Sequence, residues 1–106
     1  MTIPDTLAAS ILARDGSACV YCTFPAAEGR KLTVDHVIPQ GWFATHGFAA
    51  TVAMDAPANL VTCCAYCNSL KRDMDLAVFA LYLRRRFGVD VRPMVRRVRR
   101  QLRKPV

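Results

Sequence analysis

Asn59-Leu-Val-Thr-Cys-Cys-Ala-Tyr-Cys67-Asn68 decides how this chain folds, because it contains one of two C-x-x-C pairs. Cys64 and Cys67 form that pair, and Cys19-Val-Tyr-Cys22 forms the other. At this spacing a tight knuckle points two sulfurs at one ion while backbone N–H groups support the thiolates. Two such pairs could supply four thiolates to one tetrahedral Zn²⁺ per chain. With all four positions filled by protein, that metal would be structural. Buried free thiols and a redox dithiol are the competing readings, and duplication of the pair argues against both. Cys63, the fifth cysteine, reads as a small buried side chain beside the motif.

The rest of the composition agrees with a metal-stapled domain. At 106 residues, 53% apolar and 22% charged, the chain suits one compact unit and is too hydrophobic for general disorder. So small a core gains from a metal or disulfide staple. Met1-Thr-Ile-Pro-Asp5 lacks the basic region and apolar run of a secretory signal. No stretch has the apolar length of a membrane span, so no membrane partner is expected. The expected location is cytoplasmic. In that reducing compartment five cysteines speak for metal rather than for disulfides.

Periodicity supplies the elements. Pro4 to Arg14 reads as a short helix, stopped at Asp15-Gly16. Lys31 to Ile38 is rich in β-branched residues and reads as a strand, broken by Pro39-Gln-Gly41. Trp42 to Ala58 is apolar without a clear period, and His46 within it reads as a loop residue. Asn59 opens a turn into a short extended piece, and a helix is expected to start near Asn68. Leu76, Phe79, Ala80, Leu83 and Phe87 then form one helical stripe, ended by Gly88. After Asp90, a suitable N-cap, Val91, Met94, Val95, Val98 and Leu102 form a second stripe.

Charge is distributed unevenly. Residues 1–70 carry three basic and five acidic groups, whereas residues 71–106 carry twelve basic against three acidic. A near-neutral body with a strongly basic end is the electrostatic footprint of a nucleic-acid binder. Arg96, Arg97, Arg99, Arg100 and Arg103 are the candidate contacts to DNA, with a solvated helix face as the bland reading.

Three segments taken together carry a family resemblance. Arg14-Asp-Gly-x-x-Cys19-x-x-Cys22 is followed by Val34-Asp-His-Val-Ile-Pro39, then by Asn59-Leu-Val-x-x-Cys64-x-x-Cys67-Asn68-x-x-Lys71. In order and spacing they resemble HNH endonucleases with a four-cysteine zinc frame, over roughly residues 10–75. The resemblance implies a small ββα-metal domain, so an α+β fold is expected over 1–75; the N-terminal helix and a basic helical extension over 76–106 rest on periodicity and composition, the extension lying outside the resemblance. It implies His36 as the general base that activates water. Asp35 and Asn68 would hold a catalytic divalent cation, Mg²⁺ or Mn²⁺, and Asn59 would brace the loop that orients His36. Lys71 would approach a substrate phosphate. The chain departs from the family in having Thr23 where Gly is common, and in a long interval from His36 to Asn59 that contains Trp42 to Met54.

The chemistry stands without the name. Phosphodiester hydrolysis needs a nucleophile, charge neutralisation at phosphate and support for a departing oxygen. An imidazole can take the proton of water, and a hard cation on Asp and Asn oxygens can polarise phosphate. Asp35 and His36 are adjacent on a strand and so point to opposite faces, which requires a bend after Val37 to gather them at one pocket. A non-catalytic zinc-containing nucleic-acid-binding module would use the same cysteines and arginines, but has no need of Asp35, His36 and Asn68. A zinc deaminase would need a His-x-Glu, and His36-Val-Ile38 lacks the Glu.

Overall fold

Helix α1 covers Asp5–Arg14, strand β1 Leu32–His36 and helix α2 Gln40–His46. A 3-10 turn at Pro57–Asn59 leads into strand β2, Leu60–Cys64, and directly into helix α3, Ala65–Lys71. Helices α4, Leu76–Phe87, and α5, Arg92–Leu102, complete the chain. The structure is a computed structural model and describes residues 3–22, 31–46 and 53–103. The fold is α+β, and β1, β2 and α3 form its ββα unit. No described helix is long and apolar enough to cross a membrane.

The strands pair antiparallel, with Leu32 opposite Cys64, Asp35 opposite Val61 and His36 opposite Leu60. Alternation puts Leu32, Val34 and His36 on one face and Thr33 and Asp35 on the other. The first face looks toward α1, since Thr62, paired with Val34, donates its hydroxyl to the carbonyl of Ile11 at 3.3 Å. All five residues of β2 are buried, as a strand covered on both faces must be.

Several elements differ from the sequence expectations, each for a local reason. The strand ends at His36 rather than Ile38, because the Ile38 N–H is captured by the Asn59 side chain at 2.8 Å. Part of the aperiodic apolar stretch is helical: α2 starts right after Pro39 and ends at His46, which is therefore helical and not a loop residue. The rest of the Trp42 to Met54 interval lies largely outside the described residues. Helix α3 begins at Ala65, ahead of Asn68, because the Cys64 sulfur caps it by accepting the Cys67 N–H at 3.3 Å. Val91, rather than Asp90, occupies the N-cap position of helix α5 and makes no side-chain cap hydrogen bond. Asp90 nonetheless accepts the Arg92 N–H at 3.1 Å.

The two late helices belong to the same core as the cysteines. Asp75 caps α4 by accepting from Val78 N–H at 2.9 Å, and Gly88 ends it at φ 69°, a left-handed geometry that suits glycine. Phe79 and Val98 are wholly buried, and they share one apolar cluster with Cys19, Cys63, Cys64 and Cys67. Burying a side chain such as Val98 contributes about 1.5–3 kcal/mol. Truncation before α5 would therefore uncover that cluster.

A polar clamp fixes α5 against the other end of the sheet. The Asp15 carboxylate, with no exposed side-chain surface, accepts from Thr62 N–H at 2.8 Å, Arg14 Nε at 2.9 Å and the Arg97 guanidinium at 2.9 Å. Arg14 also donates to the carbonyls of Pro57 and Leu60, at 2.8 and 2.6 Å. Gln101 donates to the carbonyls of Ala58 and Leu60, both at 3.1 Å. Burial pushes the Asp15 pKa up, but hydrogen bonds from Arg14 and Thr62 outweigh it and leave the carboxyl below its ordinary value.

Asp15→Asn should destabilise the fold by about 2 kcal/mol at neutral pH, the usual scale for hydrogen bonds to a charged group. The folded pKa lies below the unfolded one, near 3.9, so the carboxylate contribution is full above that value. It is lost as pH falls through the folded value. Denaturant melts from pH 7 downward should therefore show the gap between parent and variant closing only below about pH 4.

Candidate functional site

The sulfurs of Cys19, Cys22, Cys64 and Cys67 all lie within 4.8 Å of one another. The Cys22 and Cys64 sulfurs stand 3.7 Å apart, close to the edge of about 3.8 Å that Zn–S bonds of 2.3 Å give in a tetrahedron. Each knuckle turns through an N–H···S bond, from Cys22 to Cys19 at 3.5 Å and from Cys67 to Cys64 at 3.3 Å. The thiols are not equivalent. Hydrogen bonds from Cys22, Cys63 and Cys67 hold Cys19 far below the usual thiol range, while sharing with Cys19 pushes Cys63 and Cys67 far above it. Four thiolates packed so closely would repel one another, and a dication at their centre would offset this. Cys63 is wholly buried and stands outside the four-sulfur set, its thiol donating to the Cys64 carbonyl at 3.3 Å.

The first knuckle also reaches the candidate catalytic carboxylate. Tyr21, between the two cysteines, donates its hydroxyl to Asp35 Oδ2 at 2.8 Å. Its ring is fixed edge-on against Phe79, with centroids 5.1 Å apart. Burial, and then the Asp35 charge, push the Tyr21 pKa well up, so it remains a donor. Lys71 Nζ approaches the same Asp35 oxygen at 3.1 Å and donates to the His36 carbonyl at 3.0 Å. Among the described residues, Asp35 Oδ1 has no hydrogen-bond partner.

Asn59 is wholly buried and bridges two loops. Its Oδ1 accepts from Ile38 N–H at 2.8 Å, and its amide donates to the carbonyls of Met54 at 2.9 Å and Ile38 at 3.3 Å. The backbone just past His36 is thereby tied to the segment before the 3-10 turn. That segment carries Asp55, whose Oδ1 lies 2.7 Å from His36 Nε2.

A cleft of about 600 Å³ gathers the pieces, lined by Asp35, His36, Asn68 and Arg72 among others. Strand alternation sends Asp35 and His36 to opposite faces, as expected, yet both border this one cleft with Asn68 from the exposed side of α3. Lys71 is a correction. Its side chain is wholly buried and its ammonium is taken up by Asp35 and the His36 carbonyl, so it is not poised at a substrate phosphate. Arg72, exposed on the cleft wall, is the cation that faces outward there. Of the C-terminal arginines, Arg97 pairs with Asp15 while Arg96, Arg99, Arg100 and Arg103 are exposed.

Sequence reasoning did not single out Tyr21, Arg72 or Asp55. The signal for Asp55 was present, since it is the only acidic residue between His36 and Asn59. Nothing in the sequence marks the Tyr21 hydroxyl as aimed at Asp35.

Residues 19–73 match the sequence model of the HNH endonucleases. Among solved structures, the Type II-C Cas9 enzyme from Actinomyces naeslundii is similar in fold, with a TM-score of 0.55 and 23% identity over 92% of this chain. The match spans 10% of that larger chain. No curated protein matches the sequence.

Cys64→Ser should lose bound zinc and lower the melting temperature sharply, because structural zinc contributes directly to folding. Cys63→Ser should retain stoichiometric zinc and lose only about 1–3 kcal/mol from burying a hydroxyl in place of a thiol. Metal content and thermal melts of the two variants, side by side, separate ligand from bystander; equal zinc loss would reverse the assignment.

Proposed function

The chain belongs to the HNH endonuclease family, and from that membership we propose that it is a divalent-metal-dependent DNA endonuclease with a structural zinc at its four cysteines. One observation carries the reading: Asp35, His36 and Asn68 border a single cleft built on the ββα unit. A nucleic-acid-binding module without catalysis would not need these three side chains together.

His36 takes the proton of a water molecule in the cleft as the water oxygen bonds to phosphorus. One ester P–O bond breaks, and the leaving oxygen recovers a proton from solvent. Asp35 and Asn68 would hold Mg²⁺ or Mn²⁺; when bound, the ion supplies neutralisation of the phosphate and of the departing oxygen. The donor set suits a hard cation, since Asp35 Oδ1 is not engaged by any described residue and Asn68 is exposed to the same cleft. Tyr21 and Lys71 hold the other Asp35 oxygen and so fix the direction of the carboxylate. Arg72 takes the phosphate-facing role that Lys71 cannot reach. Arg96, Arg99, Arg100 and Arg103 add nonspecific attraction for DNA along α5.

His36→Ala should keep zinc, fold and DNA binding while slowing Mg²⁺- or Mn²⁺-dependent cleavage of supercoiled plasmid by about 10²- to 10⁴-fold. Cleavage at the parent rate by folded His36→Ala protein would overturn His36 as the general base, whereas absence of metal-dependent cleavage by the purified parent would favour the binding module. Asp35→Ala and Asn68→Ala should raise the metal concentration required.

Substituting Arg96, Arg99, Arg100 and Arg103 by Gln should weaken duplex binding without unfolding the protein. Each lost phosphate contact should reduce the log–log salt slope by about 0.9. An unchanged slope would assign these arginines to solvent.

A further inference from the structure

We propose that Asp55 is a positioning residue for His36, holding the ring in the tautomer whose Nδ1 lone pair takes the proton of the attacking water. The proposal deepens the nuclease reading and rests on it.

The observation is the 2.7 Å contact between Asp55 Oδ1 and His36 Nε2. An ionised carboxylate can only accept, so the proton in that contact belongs to Nε2. A neutral imidazole has one N–H, which leaves the lone pair on Nδ1. Among the described residues Nδ1 has no hydrogen-bond partner. The ring borders the cleft and is only 12% exposed, so it is held in a defined place rather than swinging in solvent.

The surroundings support a built contact. His36 backbone is fixed twice, by pairing with Leu60 and by the Lys71 ammonium on its carbonyl at 3.0 Å. Asp55 is fixed through its neighbour, because Asn59 grips the Met54 carbonyl at 2.9 Å and the Ile38 N–H at 2.8 Å. One buried amide thus sets the spacing between the strand that carries the ring and the loop that carries the carboxylate. Asn59 acts on the backbone, and Asp55 acts on the ring. A carboxylate in this relation to a histidine fixes tautomer and orientation in other catalytic and metal-bound histidines.

The test uses zinc-loaded full chain with Mn²⁺ and supercoiled plasmid, comparing parent, Asp55→Asn and Asp55→Glu. Asp55→Asn is near-isosteric, but its amide can donate to Nε2 and so admits the opposite tautomer. It should lower kcat by about 10- to 100-fold with KM and Mn²⁺ affinity unchanged. Asp55→Glu keeps an acceptor-only group and should recover most of the loss. In parallel, ¹⁵N spectra of the His36 ring, assigned by their absence in His36→Ala, should report Nε2–H in the parent and growth of Nδ1–H in Asp55→Asn. Parent-like kcat in Asp55→Asn, a change confined to KM, or an Nδ1–H ring in the parent would each overturn the proposal. A fall in kcat with an unchanged tautomer would also overturn it. Should the parent fail to cut at all, the nuclease reading falls, while the ring spectra still decide whether Asp55 sets the tautomer.

Discussion

Four sulfurs held within 4.8 Å of one another are the constraint on which the rest of this small fold depends. They join a knuckle near the N-terminus to the end of β2 and the start of α3, across 42 residues between Cys22 and Cys64. Once that junction closes, β2 is pinned at its C-terminal end and the register that sets Asp35 opposite Val61 has little room to slip. The first knuckle then delivers Tyr21 against Phe79, with its hydroxyl on Asp35. Zinc at this junction would act on the active site through orientation of a carboxylate, without taking part in the chemistry.

A second clamp works at the opposite end of β2. Asp15 gathers Arg14, Thr62 and Arg97, while Arg14 and Gln101 bond the carbonyls around the 3-10 turn. The turn so held contains Asn59, which sets the path of the chain past His36. Helix α5 consequently has two contrasting faces. Met94 and Val98 close the core under the cysteines, and Arg96, Arg99, Arg100 and Arg103 remain in solvent. The apolar stripe of this arginine-rich end makes it a structural wall of the domain.

What was legible in the sequence was whatever follows from local spacing. The cysteine pairs, the stripe Leu76, Phe79, Ala80 and Leu83, and the stop at Gly88 each depend on neighbours within a few residues. Helix α2 was hidden because its seven residues are too few to reveal a period and Pro39-Gln-Gly41 at its start reads as a break. The start of α3 was misplaced because a cysteine sulfur, rather than an Asn or Ser side chain, caps it. The resemblance implies Lys71 at a substrate phosphate, and nothing local signals its burial, since lysine is seldom wholly buried without a partner. Its partner, Asp35, is 36 positions away in sequence, and only the folded strand brings it within 3.1 Å.

The burial of Lys71 explains how a carboxylate can wait in a largely closed site. Asp35 is 8% exposed, and an unpaired charge there would be costly. Lys71 and Tyr21 both bind Oδ2, so the charge is compensated from the core side while Oδ1 stays uncommitted among the described residues. That division would let one carboxylate serve both as a buried ion-pair partner and, in the proposed mechanism, as a ligand toward the cleft. His36 is treated in parallel. Lys71 occupies its carbonyl and Asp55 its Nε2, which leaves Nδ1 as the unused polar atom of the ring. In both residues the fold engages every functional atom but one, and the atom left over is the one the reaction would need.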